Sequence, residues 1–445
     1  MNTRALDITK SYEEKRRLDW AYVTLLMVIA GIALFFIALV KSKTASELLS
    51  NPFLLAYSIF VTAFQLSRLV SAIFFKHSYA QVLSSISPAV LEAYEPTVSF
   101  VIPCKNEEGA IRNTVTKCFD AAYPEDKKEV IVINDGSTDR TGEILEELKS
   151  EYPRLTVITF EKNQGKRYGM AAGFKAATGE IVIQLDSDSY FEPKSFREVL
   201  KPFANPEIGG VCAHADPENA DQNVFTKMQA AYYFMSFRIL KAAESTYGVV
   251  FCLSGCSSAY RRSVVMPHLD AWLKERFLGL PVTWGDDRGL TNVVLREGYK
   301  AIYTDVAKAY TIVPSNFKQL VKQQVRWKKG WFVNSIFASK FIMKRDPFVA
   351  FFYFFPLTLV TLMTPFMATR AVIYNPLYHH NATILFFITG VFLVAALIVV
   401  FYRFVGRDNK YWPYIFAWTA LNSVFLAFLL FYALATIQNR KWGTR

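Results

Sequence analysis

An α/β domain with a mostly parallel sheet, set between membrane-spanning helices, is the fold class this sequence predicts. Three observations predict it. Hydrophobic residues make up 52% of the 445-residue chain, with a mean hydropathy of +0.18, and they pile up toward its two ends. The middle alternates short apolar runs with helical patterns, as buried parallel strands and their crossover helices do. Acidic clusters follow those apolar runs directly, where ligands bind in such sheets.

The ends come first. Trp20 to Val40 is an uncharged run long enough to cross a bilayer. It is too long for a signal-peptide core, and no small-residue cleavage site follows it. Phe53 to Phe75 is a second run, interrupted by Gln65 and Arg68, which share a helix face and either line a polar path or let the arginine snorkel. Arg4, Lys10, Lys15, Arg16 and Arg17 in the tail 1–19 outnumber Lys41 and Lys43 in the next loop, so the tail is expected in the cytoplasm. Two crossings in 20–75 then place 76–315 on the cytosolic side, followed by an amphipathic interface segment, 316–345. Two further spans are expected in 346–412, at Phe348 to Thr369 and Thr383 to Tyr402. Tyr414 to Ile437, within 413–437, reads as a fifth span or as a helix along the interface. Arg440, Lys441 and Arg445 in the tail 438–445 favour the interface, because they keep that tail cytosolic. The expectation is thus a multi-pass protein of the plasma membrane with the lipid bilayer as a partner. The net charge of +12 fits cytosolic membrane flanks, and nucleic acid is not expected as a partner. All five cysteines fall in the central insert without CxxC or zinc-site spacing, which fits reduced thiols.

Within the insert, Thr97 to Pro103, Glu129 to Asn134, Leu155 to Phe160 and Ile181 to Leu185 read as strands. Asp135-Gly-Ser-Thr-Asp139 ends the second, and Asp135 either faces a ligand or caps the helix starting near Thr141. Lys166 and Arg167 supply adjacent cations suited to phosphate oxygens. Asp186 and Asp188 follow the fourth strand at a spacing that lets two carboxylates converge on one hard divalent cation, which would bridge a diphosphate. Gly285-Asp-Asp-Arg288 is a second pair, in an apolar setting where a carboxylate serves as general base toward a sugar hydroxyl. Gln323-Gln-Val-Arg-Trp327 lies on a basic amphipathic helix that suits a membrane surface, while an indole face also stacks on sugar rings.

In this order, bracketed by membrane spans, these motifs resemble the processive family 2 glycosyltransferases, which include the hyaluronan, chitin and cellulose synthases. The fullest likeness is to the hyaluronan synthases. It is carried by Leu269-Asp-Ala-Trp272, Phe277-Leu-Gly279, Leu290-Thr-Asn292, Cys252-Leu-Ser-Gly255, Tyr260-Arg261 and Gly165-Lys-Arg167, and covers roughly residues 97 to 335 and the chain end. The resemblance implies a GT-A-like domain and inverting transfer from UDP-sugars, UDP-GlcNAc and UDP-GlcA among them, to a nascent β-linked polysaccharide that is moved across the membrane. It implies Mg²⁺ or Mn²⁺ on Asp188 and Asp186, with Asp287 as the base. Asp135, Lys166, Arg167, Asp186, Arg326, Trp442 and Arg445 would hold the donor. Cys252, Ser254, Gly255, Asp286, Gln323 and Trp327 would hold the acceptor. The chain departs from the hyaluronan synthases at Cys256, where they have proline, and at Trp327-Lys-Lys-Gly330, whose glycine is similar to cellulose and poly-N-acetylglucosamine synthases.

Overall fold

The computed structural model describes residues 52–378 and 383–439, together with 28 and 35. The chain divides into two compact units, Met1–Ala63 with Met363–Ala427, and Phe64–Leu362 with Phe428–Arg445. Trp20 to Val40, Trp442 and Arg445 lie outside the described residues, Val28 and Phe35 excepted.

The larger unit is built on an eight-stranded sheet. Its strands are β1 (Val98–Cys104), β2 (Lys128–Asp135), β3 (Leu155–Phe160), β4 (Ile181–Gln184), β5 (Ser189–Phe191), β6 (Ile208–Pro217), β7 (Ser258–Arg261) and β10 (Lys300–Thr311), in the order β3-β2-β1-β4-β7-β6-β10-β5. A small separate hairpin pairs β8 (Arg276–Phe277) with β9 (Leu280–Pro281). The four expected strands are present within a residue or two of their expected ends. β7 runs antiparallel to both neighbours and β5 antiparallel to β10, and every other ladder of the large sheet is parallel. Every residue of β1 and β4 is buried, because helices cover both faces.

Parallel register fixes which loops meet. Cys104 lies opposite Asn134, and Val101 opposite Gln184, so β1, β2 and β4 end on one edge of the sheet. The loops beginning at Asp135 and Asp186 leave from that edge. The helix Lys166–Ala176 packs across β1 and β2 so closely that a Cβ at Gly173 would stand 2.4 Å from Val101 Cγ1. This close seat brings the helix start, Lys166, to the same edge.

Pro52–Ser84 is one helix, running nine residues beyond the expected end of the second apolar run. Tertiary packing extends it: Phe75 sits 5.2 Å from the Tyr303 ring and Tyr79 bonds Thr304 at 3.0 Å, both on β10. Arg68 is buried over the Phe64 and Tyr353 rings, with Gln65 3.5 Å away, so it does not snorkel. In the smaller unit, Thr383–Val405 packs on Tyr414–Val424 around Val399, Tyr402, Ile415 and Trp418, with Phe392 stacked on Phe416. Among the described residues, Leu55–Ser84, Pro347–Tyr378 and Phe387–Val405 are long and apolar enough to cross a membrane. Tyr414–Val424 and Leu426–Ala435 pass that test only together and meet at a 43° bend.

Candidate active site

A cavity of about 1110 Å³ opens at this edge of the sheet, within the larger unit. Asp135, Lys166, Arg167, Asp186, Asp188, Cys252, Ser254, Gly255, Asp286, Asp287, Gln323, Arg326 and Trp327 all line it. Segments nearly two hundred residues apart in sequence thus share one chamber, larger than most small-molecule pockets.

Lys166 joins the two acidic motifs. Its Nζ lies 2.5 Å from Asp186 Oδ1 and 3.0 Å from Asp286 Oδ2. Burial disfavours the ammonium, but the two carboxylates outweigh it and hold its pKa above the ordinary lysine value. Asp286 and Asp287 occupy the first turn of the helix Asp286–Arg296, where the helix dipole favours negative charge. Burial works against both charges. Lys166 overcomes it for Asp286, whose pKa is lowered, whereas Asp287 is pushed up by burial and by the Asp286 charge beside it. Asp287 Oδ1 accepts the Arg288 N–H at 2.8 Å and Oδ2 accepts from Cys252 Sγ at 3.3 Å. Burial, then the Asp287 charge, pushes the Cys252 thiol up to about 12, so it stays a neutral donor.

The opposite wall is the helix Phe317–Ser339, started by Asn316, whose side chain accepts the Gln319 N–H. Arg326 stands close enough to Asp286 to help keep its carboxyl ionised. Gln323 Oε1 is buried without a protein hydrogen-bond partner. The helix meets the Asp286 loop at two glycines. A Cβ on Gly330 would lie 3.0 Å from Gly285 Cα, and one on Gly285, whose φ is +65°, would lie 2.6 Å from Asn334 Nδ2. Asn334 Nδ2 also donates to Gly285 O at 3.2 Å. Gly330, legible in the sequence only as a departure, is thus required by backbone contact.

Residues 99–268 match the family model described as Glycosyl transferase family 2. The hyaluronan synthase of Streptococcus pyogenes serotype M1 is 32% identical over 359 residues, covering 78% of this chain and 83% of that protein. The chain belongs to the family 2 glycosyltransferases. An N-acetylglucosaminyltransferase of Bradyrhizobium diazoefficiens is 26% identical over 409 residues, covering 90% of this chain and 81% of that protein. The mannosyltransferase PcManGT of Pyrobaculum calidifontis, solved in complex with GDP-Man and Mn2+, superposes with a TM-score of 0.54 at 20% identity, over 86% of this chain and 99% of that chain. That likeness establishes the GT-A-like fold. With its apolar helices and its synthase relative, this glycosyltransferase is a membrane protein whose donors are nucleotide-sugars.

Two of the expected donor residues also make contacts within the protein that the sequence did not show. Arg167 is expected on the donor diphosphate, and its guanidinium stacks 4.2 Å from the Trp272 ring, pairs with Glu275 at 2.7 Å and donates to Val282 O at 3.1 Å. It braces the hairpin that leads into the Asp286 loop. Asp135 does not cap the helix Thr141–Glu151, because Asp139 Oδ1 accepts the Thr141 N–H. Asp135 instead accepts the N–H groups of Gln164 at 2.6 Å and Gly165 at 2.9 Å, which shapes the loop delivering Lys166. Sequence reasoning missed Lys329. Its Nζ reaches Thr436 O at 2.6 Å and Asn439 O at 3.1 Å and lies 5.2 Å from the Trp284 ring, tying the chain just after the helix Leu429–Ala435 to the helix Phe317–Ser339 and to the segment before Asp286.

The residues present suit a divalent cation bridged by substrate. Asp186 and Asp188 offer hard carboxylate oxygens on the cavity wall, and among the described residues no three His, Cys, Asp or Glu side chains form a closed cage. Mg²⁺ and Mn²⁺ sites of this kind complete their shell from phosphates and water.

Proposed function

We propose that this glycosyltransferase is a processive, inverting polysaccharide synthase that draws UDP-sugars from the cytosol and extrudes a β-linked, hyaluronan-like chain of GlcNAc and GlcA. The single observation that carries the reading is Lys166 bridging Asp186 and Asp286, because it puts donor and acceptor machinery within one salt-bridged reach. Asp287 takes the proton from the acceptor hydroxyl. The freed oxygen attacks the anomeric carbon from the face opposite UDP, the C–O bond to the diphosphate breaks, and its electron pair leaves with UDP. Lys166 and Arg326 face the charge that develops there. A cation held by Asp188 and Asp186 supplies further neutralisation of that diphosphate when bound. Gln323 and Trp327 hold the acceptor sugar, with Cys252, Ser254 and Gly255 across from them, and no covalent enzyme intermediate is needed.

In this reading the domain from 76 to 315 is cytosolic and four segments cross the membrane. Residues 413–437 lie along the interface, and Trp442 and Arg445 return over the donor. The hold of Lys329 on Thr436 and Asn439 supports the interface course, since it ties the end of this segment to the helix Phe317–Ser339. Purified protein in detergent, given UDP-GlcNAc, UDP-GlcA and UDP-Glc singly and in pairs, is expected to make polymer only from the first two together. The product should then be degraded by a hyaluronan-specific lyase. Polymer from UDP-GlcNAc alone would replace this reading with a chitin-like or poly-N-acetylglucosamine product, which the N-acetylglucosaminyltransferase relative and Gly330 favour.

A further inference from the structure

Lys328 follows Trp327 on the helix Phe317–Ser339 and lines the same cavity. At 3.6 residues per turn, Arg326 and Lys328 project about 200° apart around the helix axis, one on each flank of the indole. Arg326 stands on the flank of Lys166 and Asp286, whose charges it influences. Lys328 stands on the other, which carries Trp331 one turn further on, and Thr361 and Leu430 line the cavity with them.

Three other lysines that the fold draws away from water have their acceptors in the protein. Lys128 holds Glu125 and two backbone carbonyls, Lys166 holds two carboxylates, and Lys241 holds Cys252 O. Among the described residues no carboxylate pairs with Lys328. Burial alone acts on its ammonium and pushes it down to about 8. A cation desolvated inside a ligand chamber without a counter-charge suits a site whose counter-charge arrives with the ligand. Three anionic groups enter this chamber in the reading above: the donor diphosphate, the carboxylate of UDP-GlcA attached beside it, and the carboxylates of the glycan. The donor diphosphate is served by Lys166 and Arg326 on the far flank. A carboxylate on the glycan is left for Lys328.

We propose that Lys328 binds the carboxylate of an acidic sugar in the glycan stacked at Trp327, and so selects an anionic chain over a neutral one. The proposal rests on the cavity being the acceptor site of a polysaccharide synthase. Its test measures binding rather than transfer. Full-length protein in detergent is titrated by calorimetry with a tetrasaccharide of alternating GlcNAc and GlcA, and with the neutral tetrasaccharide of GlcNAc. The wild type is expected to bind the acidic probe about tenfold more tightly, as one charge-assisted hydrogen-bonded contact allows. Lys328→Gln should lose that preference while keeping its affinity for the neutral probe and for UDP, and Lys328→Arg should retain it. An unchanged ratio in a Lys328→Gln protein that still binds UDP overturns the assignment. Binding of UDP but of neither tetrasaccharide to the wild type overturns the acceptor-site reading beneath it.

Discussion

The two acidic motifs of this glycosyltransferase are built from the same residue type and share one lysine, yet they sit in opposite surroundings. Asp186 and Asp188 turn off the end of a strand, and the Asp186 side chain keeps 35% of its surface exposed. Asp286 and Asp287 open a helix, and the Asp286 side chain is only 6% exposed. Two carboxylates open to the cavity can converge on one divalent cation. Burial drives two adjacent carboxylates apart in acidity, and Lys166 decides which of them stays charged most easily. The favoured one, Asp286, is already neutralised, and its neighbour Asp287 is left as the stronger base. Composition alone therefore does not separate the proposed cation site from the proposed general base; burial and the placement of one ammonium do.

The sharpest way to break this comparison is Asp287→Asn. Loss of a general base should lower the polymerisation rate about 10²–10⁴-fold while UDP binding by calorimetry stays within about twofold. Retention of more than a hundredth of the rate would move the base elsewhere. Next in size is the open pair: Asp188→Ala, or excess EDTA on the wild type, should lower the rate about a hundredfold, and Asp287→Asn should leave Mn²⁺-dependent UDP binding intact. Full activity in EDTA would remove the cation from the site. Third, Arg167→Ala should cost about 3 kcal/mol of stability by thermal or chemical unfolding. That is the low end for removing one partner of a buried pair, since Glu275 keeps a fifth of its side chain exposed. Lys166→Ala should instead raise the donor KM, and equal donor effects for the two would place Arg167 on the diphosphate. The smallest effect is on pH. Asp287 must be ionised, and its raised pKa makes activity fall as pH drops through a value above the ordinary ~3.9 of aspartate. Asp286→Asn removes a neighbouring negative charge, so the acid limb of the pH–rate profile should move to lower pH. A shift upward would invert the assignment of the pair.

Local patterns made part of this legible. β1 to β4 are apolar runs, so their strands and the acidic loops after them could be read directly. β6 and β10 could not. Ile208-Gly-Gly-Val-Cys-Ala-His-Ala-Asp-Pro217 and the lysine-bearing run from Lys300 to Thr311 carry too much glycine and charge to read as buried strands, and tertiary packing rather than pattern places them. The antiparallel β7, lying between two parallel partners, depends on long connections that no window reveals. In the site, residue types at turns were readable, and partners were not. Lys166 meets Asp286 across 120 positions, Arg167 finds Trp272 and Glu275 across more than a hundred, and Lys329 finds Thr436. Adjacent cations look alike in sequence, and only folding separates the one that enters the cavity from the one that braces its wall.

The meeting of Gly285 and Gly330 has a mechanical consequence. With no side chain between them, the spacing from Asp287 to the indole at Trp327 is gauged by the radii of two bare backbones, which no rotamer change relaxes. A methyl group introduced at Gly330 is therefore a shim of known thickness, wedged between the jaws of a vice. Graded shims there, alanine and then serine, convert the interval between the proposed proton acceptor and the proposed stacking face into an adjustable dimension against which the length of product can be measured.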